Sequence, residues 1–492
     1  MTASDSDFAE LDSAPEDTKP VKKEKPSNKR KQEHLEDDET QATDNTLKEG
    51  NRQHVDKAEK WKQVKKETKL RKRERRAAKP QGAVILEANQ LWETARKRAL
   101  YPEERQKLIH QLWDLFKENP YEIALKRNGS RIFQTIVKYA DDEMMETITE
   151  ALKPNIFALC ESQYGSHFIA KILAHRSRKA RTAVVEKIQG KVRHLLSTTY
   201  GWVVVEEAYR DYATGTQKKQ LYQELYGNEF TIFRETNNYK SIEDILEKQP
   251  AKKDVIMDSL VKSLKPILTK GLVSGTIVHR ALLEVMTYGR KSDIEEIVEL
   301  SKSLLPEILH SKNGSQASCL ILAHASVKDK KHMISQMSEY MDKIFTDKYG
   351  FIVPLVAFEV VDDTKMTRKY ILSKICTETN FRLIFATKFG FKPLLSIMQG
   401  PNRDFLYANQ YELVEKCQKI RAETSIKEDD LRRKQLQEML VPKLLEYFEQ
   451  DYDHVMSEID PRNILPFVQH EALKDTPIGE KLVKQLSEKI EE

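Results

Sequence analysis

Cysteine is scarce and scattered in this 492-residue chain: Cys160, Cys319, Cys376 and Cys417 form no CxxC pair and no even framework. That argues against a disulfide scaffold, and the thiols read as reduced, mostly buried groups of an intracellular protein. With 16 Gly and 17 Pro, the chain also lacks the turn punctuation an all-β fold needs. No uninterrupted apolar run approaches the roughly 20 residues of a membrane span, and the first residues hold no hydrophobic signal core. A soluble, non-secreted chain is expected. Catalytic signatures are missing as well: there is no GxxxxGK[ST] phosphate loop, no GxGxxG after a strand, no HExxH and no GxSxG elbow. The expectation is a non-enzyme with no cofactor and no metal. His167 and His175 lie eight apart on one predicted helix, too distant to chelate one ion together. Asn128-Gly129-Ser130 and Asn313-Gly314-Ser315 match a glycosylation sequon but sit at helix starts, where turn and cap chemistry explains them.

Charge is what the chain has in abundance. Charged residues make up 32% against 39% hydrophobic, and 82 Lys and Arg face 77 Asp and Glu. This near balance is uneven along the chain. Residues 1–50 carry 8 basic and 14 acidic side chains, and residues 51–80 carry 13 and 4. Residues 120–200 hold 13 against 8, whereas 401–492 hold 14 against 20. Such segregation points to a polyanion engaged by part of the molecule. Apolar periodicity is nearly missing from residues 1–80, so disorder is expected for most of that tail. Its basic runs, KKEKPSNKRK (22–31) and KAEKWKQVKKETKLRKRERRAAK (57–79), read as a nuclear or nucleolar address that also contacts nucleic acid. The second run has the composition to turn helical on a partner.

From about residue 85 apolar residues recur at i, i+3, i+4 and i+7, the helical period. A longer repeat overlies it. NGSRIFQTIV (128–137), YGSHFIAKIL (164–173) and YGWVVVEEAY (200–209) place Gly129, Gly165 and Gly201 at intervals of 36. SGTIVHRALL, NGSQASCLIL, YGFIVPLVAF and FGFKPLLSIM follow, with Gly275, Gly314, Gly350 and Gly390 at gaps of 39, 36 and 40. The 74-residue interval from Gly201 to Gly275 hides one more unit, NYKSIEDIL, with Asn238 in the glycine slot and Ile245 and Leu246 in phase. Three residues before the glycine stand Ser162, Thr198, Ser311, Asp347 and Thr387, all helix-capping types. Each unit reads as a helical hairpin that cannot bury its apolar face alone. Stacking eight of them predicts an all-α, curved α-solenoid with one continuous core. The organisation expected is a tail over 1–80, repeats over 81–400 with an N-terminal cap, and divergent helices over 401–492, where the glycine signature vanishes.

In a solenoid one helix layer lines the concave face and presents the same positions from every repeat. The residues one, two and five after the glycine project from the start of the second helix. In repeat one they are Ser130, Arg131 and Gln134, and in repeat two Ser166, His167 and Ala170. Gln and Ser can hydrogen-bond a base edge, and a flat guanidinium can stack between bases. Hairpins of about 36 residues with an xG followed by SRxxQ resemble Pumilio (PUF) repeats. The resemblance covers about 85–400, and GSRIFQ (129–134) is its most specific piece. It implies that the first and fifth positions read a base while the second stacks. The basic tail, degenerate repeats and helical extension resemble the Puf-A (penguin-like) nucleolar branch. That branch implies an L-shaped array of about eleven repeats, a role in ribosome assembly, and binding of RNA or DNA with little sequence preference.

Later repeats depart from a base-reading pattern. Repeat three carries Trp202, Val203 and Glu206, and the hidden repeat Tyr239, Lys240 and Glu243. Repeat five has Thr276, Ile277 and Arg280, and repeat six Ser315, Gln316 and Cys319. Repeats seven and eight offer Phe351, Ile352 and Leu355, then Phe391, Lys392 and Leu395. Leu and Ile cannot pair with a base edge, so a run of six to eight bases is not read directly. Candidate RNA contacts are Lys126, Arg127, Ser130, Arg131, Gln134, Lys138, Ser166, His167, Lys171, His175, Arg176, Arg178 and Lys179. Each has a plainer role open to it: solvated helix face for Arg131 and Gln134, groove filling for His167, inter-repeat packing for Trp202. The expected partners are RNA (a ribosomal RNA precursor or other structured or single-stranded RNA) or DNA, and pre-ribosomal proteins, with no membrane and the chain a monomer. Nucleolus or nucleus is the expected location. The rival readings are a sequence-specific regulator of messenger RNA translation and a HEAT- or armadillo-like protein scaffold, whose repeats run about 40–47 residues.

Overall fold

The computed structural model describes residues 65–491 apart from 73, 76, 80, 237, 238 and 424, so the expectations for 1–64 and for Asn238 lie outside the described residues. Two compact units divide the chain, 1–73 and 74–492, and the second carries the repeats. In the first, residues 65–72 are helical, where disorder was the expectation for most of the tail. Among the described residues all regular structure is helical.

The second helix of each glycine-marked repeat starts within two residues of its glycine. We number the helices that matter for function: α1 (Gly82–Ala95), α2 (Pro102–Phe116), α3 (Arg127–Tyr139), α4 (Asp142–Leu152), α5 (Gly165–Leu173), α6 (Arg178–Ile188), α7 (Gly201–Glu207), α8 (Ile242–Lys248), α9 (Lys253–Thr269) and α10 (Thr276–Tyr288). They continue with α11 (Lys312–His324), α12 (Ile352–Val360), α13 (Lys392–Gln399), α14 (Ala408–Ala422), α15 (Asp429–Gln450), α16 (Pro461–Val468) and α17 (Pro477–Glu491). The capping residues act as the spacing predicts. Ser162 Oγ accepts from Gly165 N at 2.9 Å, Thr198 Oγ1 from Gly201 N at 3.1 Å and Ser311 Oγ from Gly314 N at 3.0 Å. Asp347 and Thr387 do the same for Gly350 and Gly390. Each bond satisfies a backbone N–H that the first turn of a helix leaves unpaired.

Close approach explains why glycine recurs. A Cβ on Gly314 would lie 1.9 Å from Ile308 O, and one on Gly129 2.1 Å from Ile123 O. Gly165, Gly201, Gly350 and Gly390 likewise meet the carbonyl six residues back, whereas Gly275 meets the Glu206 carboxylate. The same pair recurs as Gly479 against Leu473 O at 2.0 Å, with Thr476 Oγ1 accepting from Gly479 N at 3.1 Å. The repeat start therefore returns at α17, which corrects the expectation that it vanishes after residue 401.

Three, four, seven and eight residues past each early glycine the side chains are fully buried: Ile132, Phe133, Ile136 and Val137 in α3, and Phe168, Ile169, Ile172 and Leu173 in α5. Each contributes roughly 1.5–3 kcal/mol by leaving water. The rings chain the units together, Phe116 to Phe133 and Phe133 to Phe168 both at 4.8 Å between centroids. Second helices form one layer, α1 on α3, α3 on α5, α5 on α7, then α10, α11, α12 and α13, while first helices such as α4 and α6 stack as another.

The hidden repeat does not enter the second-helix row as the spacing suggests. Leu272, three before Gly275, is no cap, and Glu206 of α7 takes that role across 70 residues. Its carboxylate accepts from Thr276 Oγ1 at 2.7 Å and Ile277 N at 3.2 Å, so α7 meets α10 directly. Helix α8 is tied instead to the far end of α10, where Tyr288 O–H donates to Glu243 at 2.7 Å. Ile245 is buried and Leu246 half-buried.

Two predictions follow from these junctions. Gly314→Ala should destabilise by about 1–3 kcal/mol through overpacking. Gly215→Ala, where nothing lies within 4 Å of a new Cβ, should be neutral or gain up to about 1 kcal/mol of helix propensity. Thermal melts of the two variants decide it. His279 is fully buried, its Nε2–H donating to Val273 O and its Nδ1 accepting from Ser311, each at 2.7 Å. Burial, then His310 beside it, hold its pKa down at about 4. The unfolded imidazole takes its proton first, near pH 6.5. The resulting stability is full above that pH and is lost as pH falls toward 4, by about 3 kcal/mol in all. Melts of wild type and His279→Gln between those pH values should show the steeper fall in wild type.

Candidate nucleic-acid interface

The row of second helices is open at its beginning and covered at its end. Helix α14 lies across α11 and α12, and α15 packs on α13. Gln418 Nε2 donates to Glu359 at 2.8 Å, Arg432 Nε to Phe358 O at 2.9 Å and Gln437 Nε2 to Met398 O at 2.8 Å. The fifth-position residues Cys319, Leu355 and Leu395 are buried in this layer, as are Phe351, Ile352, Phe391 and Lys392. Their place in the core settles why the later repeats carry apolar residues at those positions. Burial holds the Cys417 thiol up at about 12 and keeps it protonated. A cleft of about 390 Å3 opens between α10, α11 and α14, and none of the predicted contact residues lines it.

Repeats three and five offer little to a ligand. Glu206 is committed to the start of α10. The half-buried Arg280 guanidinium lies 3.8 Å over the Tyr222 ring and donates to Glu284 at 3.1 Å. Arg210 is paired with Asp211 at 2.7 Å. Trp202 is half-buried against the core, the packing role.

Repeats one and two hold the open basic surface. Arg131, Lys138 and His167 are exposed, and Gln134 and Lys171 half-buried. Burial, and next the charge of Lys138, lower the Lys171 pKa, while Glu207 of α7 opposes the shift. Glu207 is itself raised, mainly by burial. The stripe of positive side chains thus meets its first acid at α7. Lys126 and Arg127 stand at the start of α3, where no side chain caps the helix and no acid occupies the first turn. Their charges add to the positive end of the helix dipole.

Three predicted contacts are corrected by their burial. Ser130 Oγ donates to Tyr164 O at 2.7 Å and accepts from Gln134 Nε2 at 3.2 Å, locking repeat one to repeat two. Ser166 is 2% exposed and donates to Gln163 O. His175 accepts from Ser177 N at Nδ1 and so carries its proton at Nε2, which donates to Ala140 O at 3.2 Å. The Ser130 and His175 atoms serve the junctions between hairpins. Arg176 and Lys179 are exposed but face acids of the preceding repeat, Asp142 at 3.6 Å and Glu146 at 2.9 Å. Such exposed pairs contribute little stability, yet they cancel charge. Arg178 is exposed on the first turn of α6.

The sequence reading missed part of this face. Trp92 of α1 donates from Nε1 to Thr135 Oγ1 at 2.7 Å, which brings the capping helix onto α3. Arg131 lies over the same indole, 5.6 Å from its centroid. The available signal was the run ARKR at 95–98, three cations directly after the helix.

Comparison with known proteins agrees with this architecture. The NOP9-like PUF repeat domain matches residues 126–381, and the CPL (NUC119) domain matches residues 386–490. The chain is 32% identical to Pumilio homolog 24 of Arabidopsis thaliana over 386 residues, covering 77% of this chain and 59% of that protein. It is 28% identical to Pumilio homolog 3 of Homo sapiens over 400 residues, covering 81% and 61%. The chain thus spans about three-fifths of the length of these curated relatives. In fold it is similar to human Puf-A, with a TM-score of 0.70 at 24% identity over 83% of this chain and 84% of that one. A structure of human Puf-A in complex with DNA gives a TM-score of 0.69, also at 24% identity, over 84% and 86%.

Proposed function

The chain belongs to the Pumilio (PUF) repeat family, on its Puf-A branch, and from that premise we propose a non-catalytic RNA-binding protein of nucleolar ribosome biogenesis. In this reading it acts in large-subunit precursor processing or assembly and holds RNA or DNA through the phosphate backbone, with little regard to sequence. One observation carries the reading. Along the row of second helices Arg127, Arg131 and Lys138 of α3 are exposed and Lys171 of α5 is half-buried, while the base-facing positions of repeats three and five to eight are buried, paired or apolar apart from the half-buried Gln316. Phosphate contacts of this kind give affinity that is general and falls with salt, whereas base reading needs polar side chains repeated along the row. Human Puf-A, which is similar in fold, has a structure in complex with DNA, in keeping with a nucleic-acid ligand. Regulation of messenger RNA through a read sequence finds no repeated polar trio to support it. The nucleolar setting rests on the basic tail and on the family.

A salt-titrated binding series tests the mechanism. Unrelated single- and double-stranded RNAs and one AU-rich PUF-type site should bind with comparable affinity. For about five phosphate contacts the slope of log K against log salt should be about −4. Arg131→Glu combined with Lys171→Glu should weaken every RNA alike. A hundredfold preference for the AU-rich site, or a loss confined to one sequence, contradicts backbone binding.

A further inference from the structure

Four cations on the capping side of the solenoid are held by aromatic rings. Arg96 and Arg131 place their guanidinium carbons 4.8 and 5.6 Å from the centroid of Trp92. Arg105 and Lys138 lie 4.7 and 5.2 Å from the centroid of Tyr139. A ring face attracts a cation by about 0.5–1 kcal/mol at exposed sites and orients it without neutralising it. A carboxylate partner orients a cation too, but removes its charge from the surface. Among the described residues none of the four makes an ion pair with a carboxylate, in contrast to Arg176, Lys179 and Arg210.

The frame beneath them is rigid. Trp92 is fixed through its indole N–H on Thr135, and Arg105 donates to Ala95 O at 3.1 Å and Lys97 O at 2.8 Å, pinning the turn that follows α1. Arg96, in the turn that follows α1, and Arg131, on α3, are both exposed and share one ring. Both forks are anchored on one indole, and guanidinium groups bind the oxygens of a phosphodiester in bidentate fashion.

We propose that α1 is part of the binding surface as well as a cap, and that Arg96 and Arg131, braced on Trp92, form a site for one backbone phosphate of the bound nucleic acid. The site extends the track of α3 and α5 one helix toward the N-terminus. It rests on the nucleic-acid reading above.

The test uses the full chain and a labelled single-stranded RNA, with anisotropy measured between about 50 and 200 mM salt. Arg96→Gln removes an exposed charge and should leave the melting temperature in place. It should flatten the slope of log K against log salt by about 0.7, one single-strand contact, and weaken binding about fivefold at the lower salt. Trp92→Leu keeps every charge but removes the brace, and should weaken binding to a similar degree while circular dichroism stays helical. If Arg96→Gln matches wild type in affinity and slope while Arg131→Glu with Lys171→Glu weakens binding, the cap site is wrong and the backbone reading stands. If wild type binds no RNA or DNA, both fall.

Discussion

Everything in this molecule depends on how closely two helices can approach at a hairpin. At seven of the repeat glycines, Gly275 being the exception, the start of the second helix passes over the carbonyl six residues earlier, at a separation that leaves little or no room for a Cβ. Glycine permits the contact, and at all of these but Gly129 a Ser, Thr or Asp three residues before it ties down the freed N–H. That fixed corner sets the phase of the second helix. Four apolar positions then fall on the neighbouring hairpin, and the first turn is left facing outward. The interface, the covered face and the correctly placed cap are all consequences of this one corner.

Which outward-facing residues matter is decided by what each charge meets. Carboxylates take Arg176, Lys179 and Arg210, and Arg280 is drawn down between Glu284 and Tyr222. At the other end the C-terminal helices close the row, leaving Cys319, Leu355 and Leu395 in the core. Positive charge survives where aromatic rings or partial burial hold it, on α1, α3 and α5. Lys171, with its pKa lowered by burial, shows how crowded that stripe is.

The repeat corner was legible in the sequence because steric need restricts it to glycine and to a few capping residues, each at a fixed distance. Gly129 through Gly390 could be read directly, and so could the caps. Gly479 escaped because the divergent helices before it broke the 36-residue count. Glu206 escaped for a different reason: it caps a helix 70 residues away, a contact that spacing does not encode. Ser130 and Ser166 fit the base-reading pattern by type, and only packing reveals that their hydroxyls are turned inward. Trp92 drew no reading of its own, since nothing local signals that an arginine 39 residues on will lie over it.

The central claim is that nucleic acid occupies the open beginning of the second-helix row and is excluded from its covered end. Amide hydrogen exchange of the full chain, with and without a saturating single-stranded RNA, tests it most directly. The account predicts slowed exchange over residues 82–98 and 126–173, with no change over 312–399. Protection centred on 312–399, with the first two repeats unaffected, would contradict it.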